Sequence, residues 1–145
     1  TKIIKSKGLC FNELFIAKPH IFVTAEHPLA NKESVTMEEL ADYPYLSFEQ
    51  GNHNSFYYSE EIFSTVERKK NIRVTDRATL FNLLIGLNGY TVCSGVIDSG
   101  LNGSNIISTP LIKEGDMRIG YISHKKLVLS PLCKKFLNHL NKYIK

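Results

Sequence analysis

Apolar and polar positions follow two periods along the chain. His20-Ile21-Phe22-Val23 lies in a β-rich stretch from Phe15 to Thr24, with Pro19 at its entry or at an edge position, and His27-Pro28-Leu29-Ala30 makes a turn after it. Thr36 and Glu39 form a capping box for a short helix through Leu40 and Ala41, which Asp42-Tyr43-Pro44 ends because a residue before proline is pushed out of the helical region. Tyr45-Leu46-Ser47-Phe48 then reads as a buried strand, and the polar stretch 49–55 follows. Ile62, Phe63 and Val66 take helical spacing in a helix expected from about Phe56 to Lys69, with Glu60 and Glu61 early and Arg68, Lys69 and Lys70 late, the order the helix dipole favours.

Ile72-Arg73-Val74-Thr75 is a second strand. Asp76 caps a helix from about Ala78 to Leu87, stopped by Asn88-Gly89, and Tyr90-Thr91-Val92-Cys93 is a third strand. This alternation over residues 45–93 predicts right-handed crossovers and a parallel α/β sheet. Residues 96–105 are turn-rich, and Ile106–Leu111 and Met117–Ser123 are β-rich. A last helix starts at Ser130-Pro131 and carries Leu132, Phe136, Leu137, Leu140 and Ile144 on one stripe.

Composition changes this picture little until charge is divided along the chain. The 145 residues are 43% hydrophobic and 22% charged, enough to bury a core, and the best apolar run, Leu80–Leu87, is broken by Asn82 and Gly86, so a membrane span is not expected. Cys10, Cys93 and Cys133 are odd in number and widely spaced, which implies neither a disulfide framework nor a zinc ribbon and fits a reducing, cytoplasmic setting. The net charge of +4 divides into +3 for residues 1–24, −5 for 25–100 and +6 for 101–145. Ends of one sign around a middle of the other suggest one lobe built from both ends with a second inserted, although drifting surface charge gives the same pattern. A start at Thr1, without Met or a leader-like segment, is expected of a piece of something longer.

In open α/β sheets ligands bind at the carboxyl ends of parallel strands, where helix N-termini present free amides. That rule selects three loops, Gly51 to Ser55, Thr75 to Thr79 and Ser94 to Asp98, whose small hydroxyl and amide side chains suit a small polar or anionic ligand. The candidate contacts are Gly51, His53, Asn54, Ser55, Thr75, Asp76, Thr79 and Ser94. Asn54 and Ser55 stand at a helix mouth, where they are equally readable as N-cap residues, and His53 is equally readable as an exposed loop residue. Enzyme chemistry is poorly supported. There is no phosphate loop, Val92-Cys93-Ser94-Gly95 lacks the first glycine of a nucleophile elbow, and Glu38, Glu39, Glu60 and Glu61 lie on expected helix faces. The five histidines lack metal-ligand spacing, so no metal or cofactor is expected. The C-terminal basic residues come without a helix-turn-helix or stacking motif, so direct DNA contact is not expected.

Three strings in order carry a resemblance. His27-Pro28-Leu29-Ala30 followed by Met37-Glu38-Glu39-Leu40-Ala41-Asp42-Tyr43-Pro44-Tyr45-Leu46, then Leu80–Tyr90 with its Gly86 and Gly89, then Ile107-Ser108-Thr109-Pro110-Leu111, resemble the effector-binding domain of LysR-type transcriptional regulators across residues 14–123. The resemblance implies a periplasmic-binding-protein-like (type 2) α/β fold of two subdomains, the first incomplete. Residues 1–24 and 106–145 would be a remnant of subdomain I and 25–105 the inserted subdomain II. It further implies a small-molecule effector bound by the three loops, DNA contact only through an N-terminal helix-turn-helix absent here, and a homodimer or tetramer for the full-length protein. On the same resemblance, the helix from Phe56 to Lys69 would be half of the family's dimer interface, and its expected partner helix would lie outside residues 1–145. The competing reading is a solute-binding protein of a transport system on the same fold, which would carry a secretory leader.

Overall fold

The computed structural model describes residues 7–49, 68–113 and 115–144. Among them run strands β1 (Leu9–Ala17), β2 (His20–Thr24), β3 (Tyr45–Phe48) and β4 (Asn71–Val74), helix α1 (Arg77–Leu87), β5 (Thr91–Cys93), a single turn α2 (Ser99–Asn102), β6 (Ile106–Pro110), β7 (Met117–His124) and α3 (Pro131–Tyr143). They group into two compact units, one of Thr1–Ala17 with Arg118–Lys145 and one of Lys18–Met117. The single strand expected over Phe15–Thr24 is two strands. Lys18-Pro19 separates them because proline lacks the N–H a continuous ladder needs, so β1 pairs with β7 while β2 pairs with β5 and β6.

In the larger unit β3 and β4 are parallel, with Tyr45 opposite Asn71 and Phe48 opposite Val74. A parallel bridge between Tyr45 and Tyr90 stitches β3 to the start of β5. Its bonds are Leu46 N–H to Tyr90 O at 2.8 Å and Tyr90 N–H to Pro44 O at 2.9 Å. β2 lies between β5 and β6 and is antiparallel to both, with His20 opposite Cys93 on one side and Pro110 on the other. The parallel expectation therefore holds for β3, β4 and β5, and β6 runs with them, while β2 alone runs against. Chain periodicity predicts elements without their direction, so the reversed strand is a feature of topology.

β2 is buried on both faces, which is why its sequence is a continuous apolar run after His20. Ile21 and Val23 pack with Leu29, Val35, Leu40, Tyr45, Tyr90 and Leu111, while Phe22 on the opposite face packs with Leu46, Val74, Leu80, Leu84 and Ile106 beneath α1. The first face is roofed by residues 27–43. The capping box there is formed, Thr36 N–H to Glu39 Oε2 at 2.9 Å and Glu39 N–H to Thr36 Oγ1 at 3.4 Å, but the expected helix is only a series of turns. Its bonds span three residues, from Ala41 to Glu38 and Tyr43 to Leu40, and Pro44 arrives before an α-helical ladder can propagate. The helix expected over Phe56 to Lys69 falls almost wholly outside the described residues. Its last two positions, Arg68 and Lys69, lie in non-helical backbone.

His27 is buried in this roof. Its Nδ1 accepts the Leu29 N–H at 3.1 Å and its ring packs tilted against Tyr43 at a centroid distance of 4.4 Å. Burial pushes the imidazole below its ordinary 6.5, an effect the Asn88 carbonyl only partly offsets. The unfolded chain then binds a proton that the folded chain resists, so stability falls as pH is lowered through about 6.5 and levels off below the folded pKa. Urea midpoints between pH 7.5 and 5 should drop in the wild type, and this component of the drop should vanish in His27→Leu. Equal slopes in the two proteins would contradict it.

In the smaller unit β1 and β7 form a two-stranded ribbon. Asn12 Nδ2 donates to Ser123 Oγ at 3.0 Å, Cys10 Sγ and Ser123 Oγ are 3.1 Å apart, and Glu13 pairs with Arg118. Helix α3 begins as expected, with Pro131 in its first turn and the Ser130 hydroxyl accepting the Cys133 N–H at 3.2 Å. Of its apolar stripe, Leu132 and Phe136 are 77% and 62% exposed, while Leu137, Leu140 and Ile144 are half-buried.

Candidate functional site

The strand directions define one edge of the larger unit. β3, β4, β5 and β6 all end there and β2 begins there, which brings Phe48, Val74, Cys93, Pro110 and His20 to a common rim. The chain leaves β3 through exposed Glu49, whose N–H donates to Val74 O at 2.8 Å and whose carboxylate lies 3.9 Å from Arg73. The loops after β4 and β5 follow from the same rim.

Thr75, Asp76 and Thr79 come together as the entry to α1, all exposed. Asp76 accepts the Thr79 N–H at 2.8 Å and the Thr79 hydroxyl at 2.7 Å. Those two bonds, the backbone one foremost, hold the Asp76 carboxyl below the usual carboxylate range, so it stays charged at neutral pH. The N-terminus of α1 is thereby occupied by the chain's own anion, and a second anion there would meet like charge. Thr75 keeps its position beside this cap. Ser94 is half-buried at the end of β5, separate from the Asp76 cluster along the rim. Gly51, His53, Asn54 and Ser55 lie outside the described residues.

Sequence reasoning missed His20. Opposite Cys93 in the ladder, it stands half-buried beside the Ser94-Gly95 turn. Gly95 has φ +80°, and a Cβ added to it would sit 2.7 Å from the His20 ring, so the loop after β5 lies directly against the imidazole. The available signal was parity. His20 shares a face with Phe22, where a buried strand would carry another apolar residue. On the other side of β2, Lys18, Pro19, Pro110, Leu111, Ile112 and Lys113 line a shallow depression, and Lys18 pairs with Asp116 at 2.5 Å.

A cavity of about 360 Å³ lies at the opposite edge, lined by Thr24, Glu26, Ile85, Gly86, Asn88 and Asn105. It stands where β2 ends and β6 begins, away from the loops selected by strand direction. Among the described residues, no helix is long and apolar enough to cross a membrane.

The profile of the LysR substrate binding domain matches residues 2–145. Among solved structures, the chain is similar to HinK, a LysR family transcriptional regulator from Pseudomonas aeruginosa, at TM-score 0.67 and 13% identity, covering 94% of this chain and 48% of that one. It is similar to the effector binding domain of QuiR in complex with shikimate, at TM-score 0.63 and 21% identity, covering 94% and 66%. The BenM effector binding domain with its effector benzoate aligns at TM-score 0.62 and 18% identity, covering 94% and 64%. The chain thus spans between about half and two thirds of these proteins. None of the curated proteins compared matches it.

Proposed function

Because the chain belongs to the LysR substrate-binding domain family, with its periplasmic-binding-protein-like fold and its regulatory, non-enzymatic role of effector binding, we propose that its larger unit recognises a small polar or anionic metabolite at the carboxyl-end rim. The observation that carries this reading is the convergence of four parallel strand ends and the start of β2 on one edge, with hydroxyl-bearing loops following two of them. Gly51, His53, Asn54, Ser55, Thr75, Asp76, Thr79 and Ser94 are the proposed contacts, Ser94 being favoured over the Asp76 cap for an anion. QuiR binds shikimate and BenM benzoate, which makes those two carboxylates sensible first probes. The division into residues 1–24 with 106–145 and 25–105 is proposed as the subdomain plan. A cytoplasmic regulator that contacts DNA through an N-terminal helix-turn-helix and works as a homodimer or tetramer is proposed for the full-length protein. Coupling between effector and DNA would be of the usual size, about 1–3 kcal/mol.

A thermal-shift screen of small carboxylates and polyols should find ligands that raise the melting temperature, because a molecule that binds only the folded state must stabilise it. Ser55→Ala should weaken the best ligand by about tenfold, for loss of one hydrogen bond to a charged group, and Thr79→Val should weaken it by releasing the Asp76 carboxylate that the Thr79 hydroxyl holds, both without unfolding the protein. Unchanged calorimetric affinity in both variants would refute the loop assignment. Thr79→Val also removes the hydroxyl bond to Asp76, so its melting temperature without ligand must be measured alongside.

A further inference from the structure

We propose that the cavity at the edge opposite the rim, between the end of β2 and the C-terminus of α1, is a second binding site, for the ammonium group of a small amine. It measures about 360 Å³, the size of a small-molecule site, and the Ala25 N–H joins two of its walls by donating to Asn105 O at 2.9 Å. The polar side chains that line it are unused. Thr24 is only 8% exposed, yet its hydroxyl makes no hydrogen bond among the described residues, and a buried polar group without a partner needs a reason. The side chains of Glu26, Asn88 and Asn105, which share the lining, likewise make no hydrogen bond or ion pair among the described residues.

The helix end supplies two more acceptors. Were α1 to continue, the N–H groups of Gly89 and Tyr90 would bond the carbonyls of Ile85 and Gly86. Instead the Gly89 N–H turns to Leu84 O at 3.4 Å and the Tyr90 N–H to Pro44 O at 2.9 Å, so neither carbonyl has its helical donor, and both residues line the cavity. The same residues set the sign of the ligand's charge. Glu26 is the only charged residue among the described ones in the lining, and the last turn of α1 carries no basic side chain to offset the negative end of its dipole. An ammonium group brings three donors and a positive charge to this set of acceptors, whereas an anion would meet a carboxylate and open carbonyls. Ala25 and the 52% exposed Ile85 give a short alkyl tail an apolar surface.

The test is an NMR titration of this chain at neutral pH with n-butylammonium chloride to tens of millimolar, following the amides of Ala25, Glu26, Asn88 and Asn105 beside those of Thr75 and Ser94. The uncharged analogue n-butanol and potassium chloride are titrated in parallel. Saturable shifts at the first four amides are expected with butylammonium, with affinity about tenfold lower for butanol and no saturation by potassium chloride. Glu26 is exposed and makes no ion pair, so Glu26→Gln should keep the melting temperature and weaken butylammonium binding by about tenfold. Asn105→Asp, which adds a second carboxylate to the lining, should tighten it. Wild-type affinity in either variant, or equal affinity for butanol, would overturn the cation reading of the cavity. Saturation of the same amides by potassium chloride would assign the site to an inorganic ion and overturn the amine. Butylammonium shifts confined to Thr75 and Ser94, or no saturable shift at all, would overturn the site outright. Carboxylate binding at the rim stands or falls separately from each of these results.

Discussion

Replacing Leu84 with alanine is expected to destabilise the unit Lys18–Met117 by about 2–5 kcal/mol, the range for deleting a fully buried leucine. Leu84 is wholly buried on α1 and packs in the cluster of Phe22, Leu46, Val74, Leu80 and Ile106, so truncation leaves a cavity lined by residues of four strands and the helix itself. A loss of that size lowers the melting temperature by roughly 10 °C or more in a unit of this length. Ile85, the next residue, is 52% exposed, and Ile85→Ala should change stability by less than about 0.5 kcal/mol. Chemical denaturation of the pair checks both. Similar losses in the two variants would mean that α1 is not seated on this face of the sheet.

Gly89→Ala is expected to cost about 1–3 kcal/mol by overpacking. A Cβ at residue 89 would stand 2.8 Å from the Pro44 carbonyl oxygen and 3.1 Å from Leu46 Cδ1. That carbonyl cannot easily move, since it accepts the Tyr90 N–H at 2.9 Å in the bridge that joins β3 to β5. Asn88 is already left-handed at φ 53°, capping α1 through its N–H to Leu84 O, so the chain has no slack to rotate around the new methyl. Denaturant midpoints should fall in Gly89→Ala and hold or rise, by up to about 1 kcal/mol, in Gly86→Ala, an exposed position of α1 where nothing lies within 4 Å and alanine is the better helix former. A stable Gly89→Ala protein would contradict the close passage of β3 and β5.

Local chemistry made much of this fold legible. β3, β4, β5, α1 and α3 fall where alternation, helical period and the Asp76 and Ser130 caps put them, because each signal is decided within a few residues. The features that escaped are decided over longer distances or by competing local effects. The break at Lys18-Pro19 depends on which partner each half of the stretch finds, and the reversal of β2 depends on strands that follow it by about 70 residues and more. Residues 36–43 have a true capping box but too few positions before Pro44 to pass from turns to helix. At the site, Thr75, Asp76, Thr79 and Ser94 were readable as strand-end residues. That Asp76 fills its own helix N-terminus follows from its cap geometry, and His20 was hidden inside an apolar run whose parity only the pairing reveals.

Amide hydrogen exchange of the chain with and without a ligand from the thermal-shift screen tests the effector-binding rim most directly. Protection is expected at Glu49, across Thr75 to Thr79 and at Ser94 to Ile97, the backbone that follows the parallel strand ends. Protection confined to Thr24–Glu26, Asn88 and Asn105 at the opposite edge, with none at the rim, would place the ligand in the other cavity and contradict it.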